Sequence, residues 1–107
     1  MPKYLFKARY TAEGARGLLS DGGTGRRSAT ERAIASAGGT LESFYFAFGG
    51  TDVFVIADLP DNTAAASLNL AVAASDTIGS ETVVLLTPEE IDEAAGRGPD
   101  WRAPGNA

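Results

Sequence analysis

The 107-residue sequence contains no cysteine and no histidine, and it holds only one tryptophan. Without cysteine there are no disulfides and no thiol nucleophiles, and without histidine there is no imidazole base. These absences exclude Cys/His zinc sites, haem ligation by histidine and every catalytic triad that depends on histidine. Acid–base chemistry would have to come from Asp, Glu, Lys, Tyr or a bound water. The sequence therefore predicts no cofactor, no metal site and no particular catalytic residue.

Long apolar runs are also missing. No stretch approaches the ~18 apolar residues that a membrane-spanning helix needs. The opening residues MPKYLFKARY alternate in the manner of a strand and lack the apolar core of a signal peptide. We therefore expect a cytoplasmic protein with no membrane partner. A chain of 107 residues that is 44% hydrophobic fits one domain with a modest core.

The charge is negative overall and unevenly distributed. The net charge is −5, which argues against nucleic acid as a partner. Residues 1–32 nevertheless hold seven of the nine basic side chains and only three acidic ones. This asymmetry predicts complementary surfaces within or between subunits, or alternatively a small anionic ligand near the basic third.

The centre of the sequence, residues 41–59, is a pair of apolar strands joined by a tight turn over residues 49–52. Alternation along a strand places Phe44 and Phe46 on one face, with Leu41 and Tyr45 on the other. Two glycines supply the turn, because glycine tolerates the positive φ angles of short hairpin loops. Both faces are largely apolar, so the hairpin requires cover on both sides.

The other elements complete a β-α-β-β-α-β order with a terminal helix. They are a strand over Tyr4–Tyr10, a short helix from Ala12, a helix over Gly25–Ala37, a helix over Asn62–Ser75, a strand over Ile78–Leu86 and a helix capped by Thr87. This order predicts an α+β, ferredoxin-like βαββαβ sandwich with helices on one face of a four-stranded antiparallel sheet. We expect the domain to span residues 1–95, followed by a Gly/Pro-rich C-terminal tail over residues 96–107.

One face of such a sheet has no helices to cover it. A monomer rarely leaves a large apolar patch in water. We therefore expect the protein to be its own partner, as a homodimer in which two sheets pack face to face or as a multiple of such dimers. Trp101 in the tail would gain from burial on a neighbouring subunit.

A glycine-rich loop follows the first helix. Residues 20–27 combine three glycines with two arginines, so backbone N–H groups and guanidinium groups there are able to hold an anion. Gly25, Arg26 and Arg27 are the candidate anion-binding residues. The pattern matches neither a P-loop nor a dinucleotide fingerprint, and a simple break between two helical segments is the alternative interpretation.

Four other polar residues stand at or near strand positions that can face a cleft between the sheet and the helices. The candidate ligand-binding residues are Arg9, Tyr45, Asp52 and Ser80. Each also has a purely structural interpretation. Tyr45 suits an interface, Asp52 suits a turn in which it bonds its own backbone, and Arg9 suits an ion pair. Ser80 suits an ordinary edge position.

Three segments of the sequence resemble the GYD domain family of small bacterial proteins. They are GGTGRRSATERAIASAGG, LESFYFAFGGTDVFVIADLPDNTAAA and TVVLLTPEEIDEA, and the resemblance covers roughly residues 3–95. It implies the dimeric α/β-barrel, ferredoxin-like superfamily, which also includes cofactor-free monooxygenases and ligand-sensing modules. The name-giving tripeptide falls near Gly50-Thr51-Asp52, where Thr51 replaces the aromatic residue.

Three function hypotheses follow. The first is a homo-oligomeric module that binds a small molecule or supports assembly without catalysis, favoured by the lack of His and Cys. The second is a cofactor-free enzyme, monooxygenase-like or isomerase-like, that acts on a small aromatic substrate in the cleft between sheet and helices. The third is an anion sensor built on the glycine-rich loop.

Overall fold

The computed structural model describes residues 1–106, and Ala107 at the end of the predicted tail lies outside the described residues. The strands are β1 (Lys3–Tyr10), β2 (Thr40–Phe46), β3 (Val53–Asp58) and β4 (Ile78–Leu85), and the helices are α1 (Ala12–Ser36), α2 (Asn62–Ala74) and α3 (Pro88–Arg97). The four strands form one antiparallel sheet in the order β2-β3-β1-β4. The predicted α+β, ferredoxin-like arrangement is confirmed.

The core lies between one face of the sheet and the helices α1 and α2. Alternation along β1 and β3 directs every second side chain to this face. The buried apolar residues are Tyr4, Ile34, Val53, Val55, Ala57, Leu59 and Ala65. Tyr4 and Leu59 are the largest fully buried side chains, so the core is anchored by one residue from β1 and one from the end of β3.

Strand β2 contains an irregularity that the alternation pattern did not predict. Phe44 and Phe46 share the helix-facing side and Tyr45 lies on the other, as expected. Leu41 was expected on the Tyr45 face, and this prediction is wrong. The register shifts between Leu41 and Ser43, so Leu41 lies opposite Ala57 and packs against the core. An extra residue in a strand reverses the side on which its neighbours fall.

Helix α1 is two helical segments joined at a kink. Gly22 has φ 76° and ψ 164°, a conformation that favours glycine. The predicted break is therefore present, but it occupies one residue instead of the whole glycine-rich loop. The first segment runs to Asp21, longer than the short helix expected, and helical geometry resumes at Gly23 instead of Gly25.

The helix starts are fixed by side-chain caps. The Asp61 carboxylate accepts a hydrogen bond of 2.9 Å from the Ala64 amide at the start of α2. At the start of α3, Thr87 and Glu90 form the expected reciprocal capping box, with hydrogen bonds of 3.1 and 3.0 Å. Satisfying the free amides of the first turn in this way stabilises each start.

The chain after β4 extends away from the sandwich. We refer to residues 86–106 as the C-terminal arm. Every residue from 86 to 100 is exposed, and Trp101 keeps 75% of its surface exposed. The radius of gyration is 17.1 Å and the longest extent is 59 Å, whereas a compact chain of this length has a radius of about 13 Å. Among residues 1–106, no helix combines the length and the apolar character needed to cross a membrane.

Candidate functional site

A cleft lies between the helices and the centre of the sheet. Helix α1 packs near β2 and α2 packs near β4, so the inner face of β1 and β3 forms the floor between them. The cleft has a volume of about 140 Å³. Small side chains at Ala8, Ala29 and Ala33 line it, and they leave space that larger residues would fill. The remaining apolar wall is made by Phe6, Ile34, Phe44, Val53, Val55, Leu68, Val72 and Ile78.

A few polar residues lie among these apolar ones. They are Tyr10, Arg26, Thr30, Asn69 and Ser80. Three of them make internal contacts, one of which is the hydrogen bond of 3.4 Å from the Arg26 guanidinium to the Asp21 carboxylate. The Thr30 hydroxyl donates a hydrogen bond of 2.9 Å to the Arg26 carbonyl, and the Asn69 carbonyl oxygen accepts one of 3.4 Å from the Thr82 hydroxyl. Apolar walls with a small number of polar groups are typical of a small-molecule site, because the polar groups fix the orientation of the ligand.

Ser80 lines the cleft. The residues of the glycine-rich loop separate. Arg26 lines the cleft. Arg27 is exposed and borders a shallow depression elsewhere, next to Glu31 and β2. Gly25 lies inside the second segment of α1. The predicted group of Gly25, Arg26 and Arg27 therefore does not form one anion cradle, and only Arg26 reaches the cleft.

Asp52 and Arg9 attach the hairpin turn to β1. The Asp52 carboxylate accepts a hydrogen bond of 2.9 Å from the Tyr10 amide, and the Asp52 amide donates one of 2.8 Å to the Ala8 carbonyl. The Arg9 guanidinium donates one of 3.0 Å to the Gly50 carbonyl. Neither residue lines the cleft. Their contacts hold the hairpin turn against the end of β1, one of the two central strands.

Tyr45 lies on the outer face of the sheet, opposite the cleft. It pairs with Phe54 and keeps 70% of its surface exposed. The apolar residues on this outer face are Leu5, Tyr45, Phe54, Ile56, Val83 and Leu85. Ile56, Leu5 and Val83 are adjacent across three strands, so they form a continuous apolar row.

An ion-pair cluster borders this apolar row. The Lys3 ammonium lies 2.8 Å from a carboxylate oxygen of Glu42 and 2.9 Å from one of Asp58. Hydrogen bonds to Glu42 first, and then to Asp58, raise the pKa of Lys3 above its ordinary value of 10.5. Glu42 is the residue at the irregularity of β2. The register shift thus brings a carboxylate to the outer face.

Asn69 lines the cleft, although it was not among the candidate site residues. Its position completes an i, i+3, i+4, i+7 series with Ala65, Leu68 and Val72, and that series marks one helix face. This spacing is visible in the sequence, so helical periodicity is the signal that could have identified Asn69 as a cleft residue.

A comparison with known protein families identifies most of the chain. The model of the GYD domain family matches residues 4–95, which is most of the chain. A search of curated proteins finds no relative that matches the sequence. The match extends from the first strand to within two residues of the end of α3 and includes every element that builds the cleft. The chain belongs to the GYD domain family.

Proposed function

We propose that the protein is a homo-oligomeric module that binds a small, largely apolar molecule in the cleft between sheet and helices, without catalysis. The observation that carries this proposal is the cleft itself. Its volume is about 140 Å³, and an apolar cavity of about 150 Å³ in another protein is large enough to bind benzene. The size therefore suits a ligand built on one ring.

The residues in the cleft favour binding over chemistry. The polar groups are hydroxyls, one amide and one guanidinium, all of which can orient a ligand through hydrogen bonds. Within residues 1–106, no carboxylate lines the cleft, and a carboxylate is the general base that a chain without histidine would most readily use. Binding of a ligand requires only the apolar walls and the hydrogen-bonding groups that line the cleft.

The homo-oligomeric part of the proposal rests on the outer face of the sheet. The row formed by Ile56, Leu5 and Val83 continues to the exposed rings of Tyr45 and Phe54. Both α1 and α2 lie on the opposite face. A second copy of the chain, packed sheet to sheet about a two-fold axis, would cover this surface with an identical one.

The binding proposal is tested by filling the cleft. Ala29→Phe places a ring in the cleft, whereas Ala35→Phe adds the same ring to an exposed position of the same helix. Toluene is titrated against the labelled full-length protein, and the amide shifts are followed by NMR. We expect saturable shifts at cleft residues in the wild type and in Ala35→Phe, and at least tenfold weaker binding in Ala29→Phe. Shifts that are absent, or equal in both variants, would contradict the proposal.

A further inference from the structure

Arg26 distinguishes this cleft from a plain apolar cavity. Among residues 1–106 that line the cleft, Arg26 is the only one that carries a charge. Its side chain is 28% exposed, so most of it is removed from water. A guanidinium that lines an apolar cleft favours a carboxylate or phosphate partner, because its hydrogen bonds to such anions are charge-assisted and can form in pairs.

The partner that Arg26 has inside the chain is weak. Its Nη1 atom lies 3.4 Å from a carboxylate oxygen of Asp21, and half of the Asp21 side chain is exposed. Charge-assisted hydrogen bonds between these groups are usually 2.7–2.9 Å long, and exposed pairs contribute at most about 1 kcal/mol. The two residues lie on opposite sides of the kink at Gly22. A ligand acid is therefore able to replace Asp21 at little cost.

The chemistry of the guanidinium selects the type of ligand. Its donors form a planar fork with no acceptor, and this fork matches the two oxygens of a carboxylate. A basic ligand would be repelled. Arg26 also lies in the first turn of the second segment of α1, where the helix dipole favours an anion.

The apolar walls select the remainder of the ligand. Phe6 and Phe44 contribute rings, and Ile34, Val53 and Val55 contribute aliphatic surface. Rings pack well against such walls in offset or edge-to-face geometry. The volume of about 140 Å³ is enough for one ring inside the cleft.

We infer that the ligand of this cleft is a monocyclic aromatic carboxylate, with its ring against Phe6 and Phe44 and its carboxylate paired with Arg26. The inference rests on the proposed function, since it assigns a chemical class to the ligand of the same cleft. It gives Arg26 a role as the residue that determines specificity for an acid.

The test compares three probes of similar size and two adjacent arginines. Benzoate, toluene and benzylamine are titrated by NMR against the wild type, Arg26→Gln and the matched control Arg27→Gln, which changes an exposed arginine outside the cleft. In the wild type and in Arg27→Gln we expect benzoate to bind at least tenfold more tightly than toluene, and benzylamine to bind more weakly than toluene. In Arg26→Gln we expect benzoate to lose at least tenfold in affinity while toluene is unchanged.

The outcomes separate this inference from the proposed function. If toluene and benzoate bind equally well, or if Arg26→Gln leaves benzoate binding unchanged, the inference is wrong and the cleft remains a binding site. If benzylamine binds more tightly than toluene, the inference is likewise wrong and the cleft remains a binding site. If none of the probes shifts cleft residues, both fail. The amide spectrum of Arg26→Gln without ligand shows whether the variant is folded. Asp21→Asn provides a second measurement, and we expect its affinity for benzoate to be equal to or higher than that of the wild type.

Discussion

The hydroxyl of Tyr4 donates a hydrogen bond of 2.6 Å to the side-chain carbonyl oxygen of Asn62. Tyr4 is only 1% exposed and lies on β1, at the centre of the sheet, while Asn62 is the first residue of α2. The bond therefore connects the middle of the sheet to the start of a helix that forms one wall of the cleft. It also satisfies a polar group that the fold would otherwise bury without a partner.

Removing this bond should lower the stability of the whole domain. We expect Tyr4→Phe to reduce the free energy of unfolding by about 1 kcal/mol, because the ring still fills its site and only the hydrogen bond is lost. Asn62→Leu should cost more, about 1–3 kcal/mol, since it leaves the hydroxyl without its acceptor. Urea unfolding measures both values. Equal stability of Tyr4→Phe and the wild type would show that the bond contributes nothing.

Two glycines of α1 should respond in opposite ways to the same substitution. A methyl group at Gly14 would overlap the backbone carbonyl of Thr77, whereas a methyl group at Gly17 would meet only open space. We expect Gly14→Ala to destabilise the protein by about 1–3 kcal/mol through overpacking. Gly17→Ala should stabilise it by about 0.5–1 kcal/mol, because alanine favours the helix. Thermal unfolding of the pair checks both signs, and stabilisation by Gly14→Ala would contradict the close approach of the helix to Thr77.

The fold could be predicted largely from the sequence because most local signals agreed with the tertiary structure. The alternation in β1, the glycine-containing turn before Val53 and the Thr87–Glu90 capping box each specify an element through interactions between near neighbours. Such signals are local, so one sequence is enough to interpret them. The register shift near Glu42 depends instead on pairing with β3, and no local pattern marked it.

The candidate site was harder to predict, because it depends on which elements face one another. Ser80 and Arg26 were found in the cleft, but Tyr45 lies on the outer face and Arg9 and Asp52 serve the hairpin turn. A strand side chain faces one of two sides, and only the position of the helices decides which side forms the cleft. Arg26 and Arg27 are neighbours in sequence, yet helical geometry separates their directions by about 100°.

The Lys3 cluster predicts a pH dependence on the alkaline side. Its carboxylate partners raise the pKa of Lys3 above 10.5 in the folded protein. The stabilisation that the charged amine provides is therefore complete below 10.5 and is lost as the pH rises through the folded pKa. We expect an NMR titration to place the Lys3 amine above 10.5, and Glu42→Gln to lower its pKa. A pKa at or below 10.5 in the wild type would contradict the two ion pairs.

The outer face should control the solution mass. Phe54 lies on this face, whereas Phe46 lies on the helix side with its ring against Gly23. Both rings are partly exposed, with 36% and 41% of their surfaces accessible. We expect the wild type to be a dimer, as proposed, and Phe54→Asp to be a folded monomer, because the substitution would bury a charge in the proposed apolar contact. Phe46→Asp, the matched control, should keep the mass of the wild type in light scattering.

The single tryptophan provides a second, independent test of the proposed dimer. Trp101 is 75% exposed on the C-terminal arm, which carries five acidic and two basic side chains and extends from a domain whose N-terminal third is basic. If a second copy packs on the sheet and the arm contacts it, the indole of Trp101 should be less accessible to iodide quenching in the wild-type dimer than in Phe54→Asp. If iodide quenches Trp101 equally in a wild-type dimer and in Phe54→Asp, the arm is not part of the interface. The proposed contact between the sheets is not affected by that result. A wild type that stays a folded monomer at all concentrations would contradict the proposed dimer, and the apolar row of the outer face would then be the candidate surface for some other molecule.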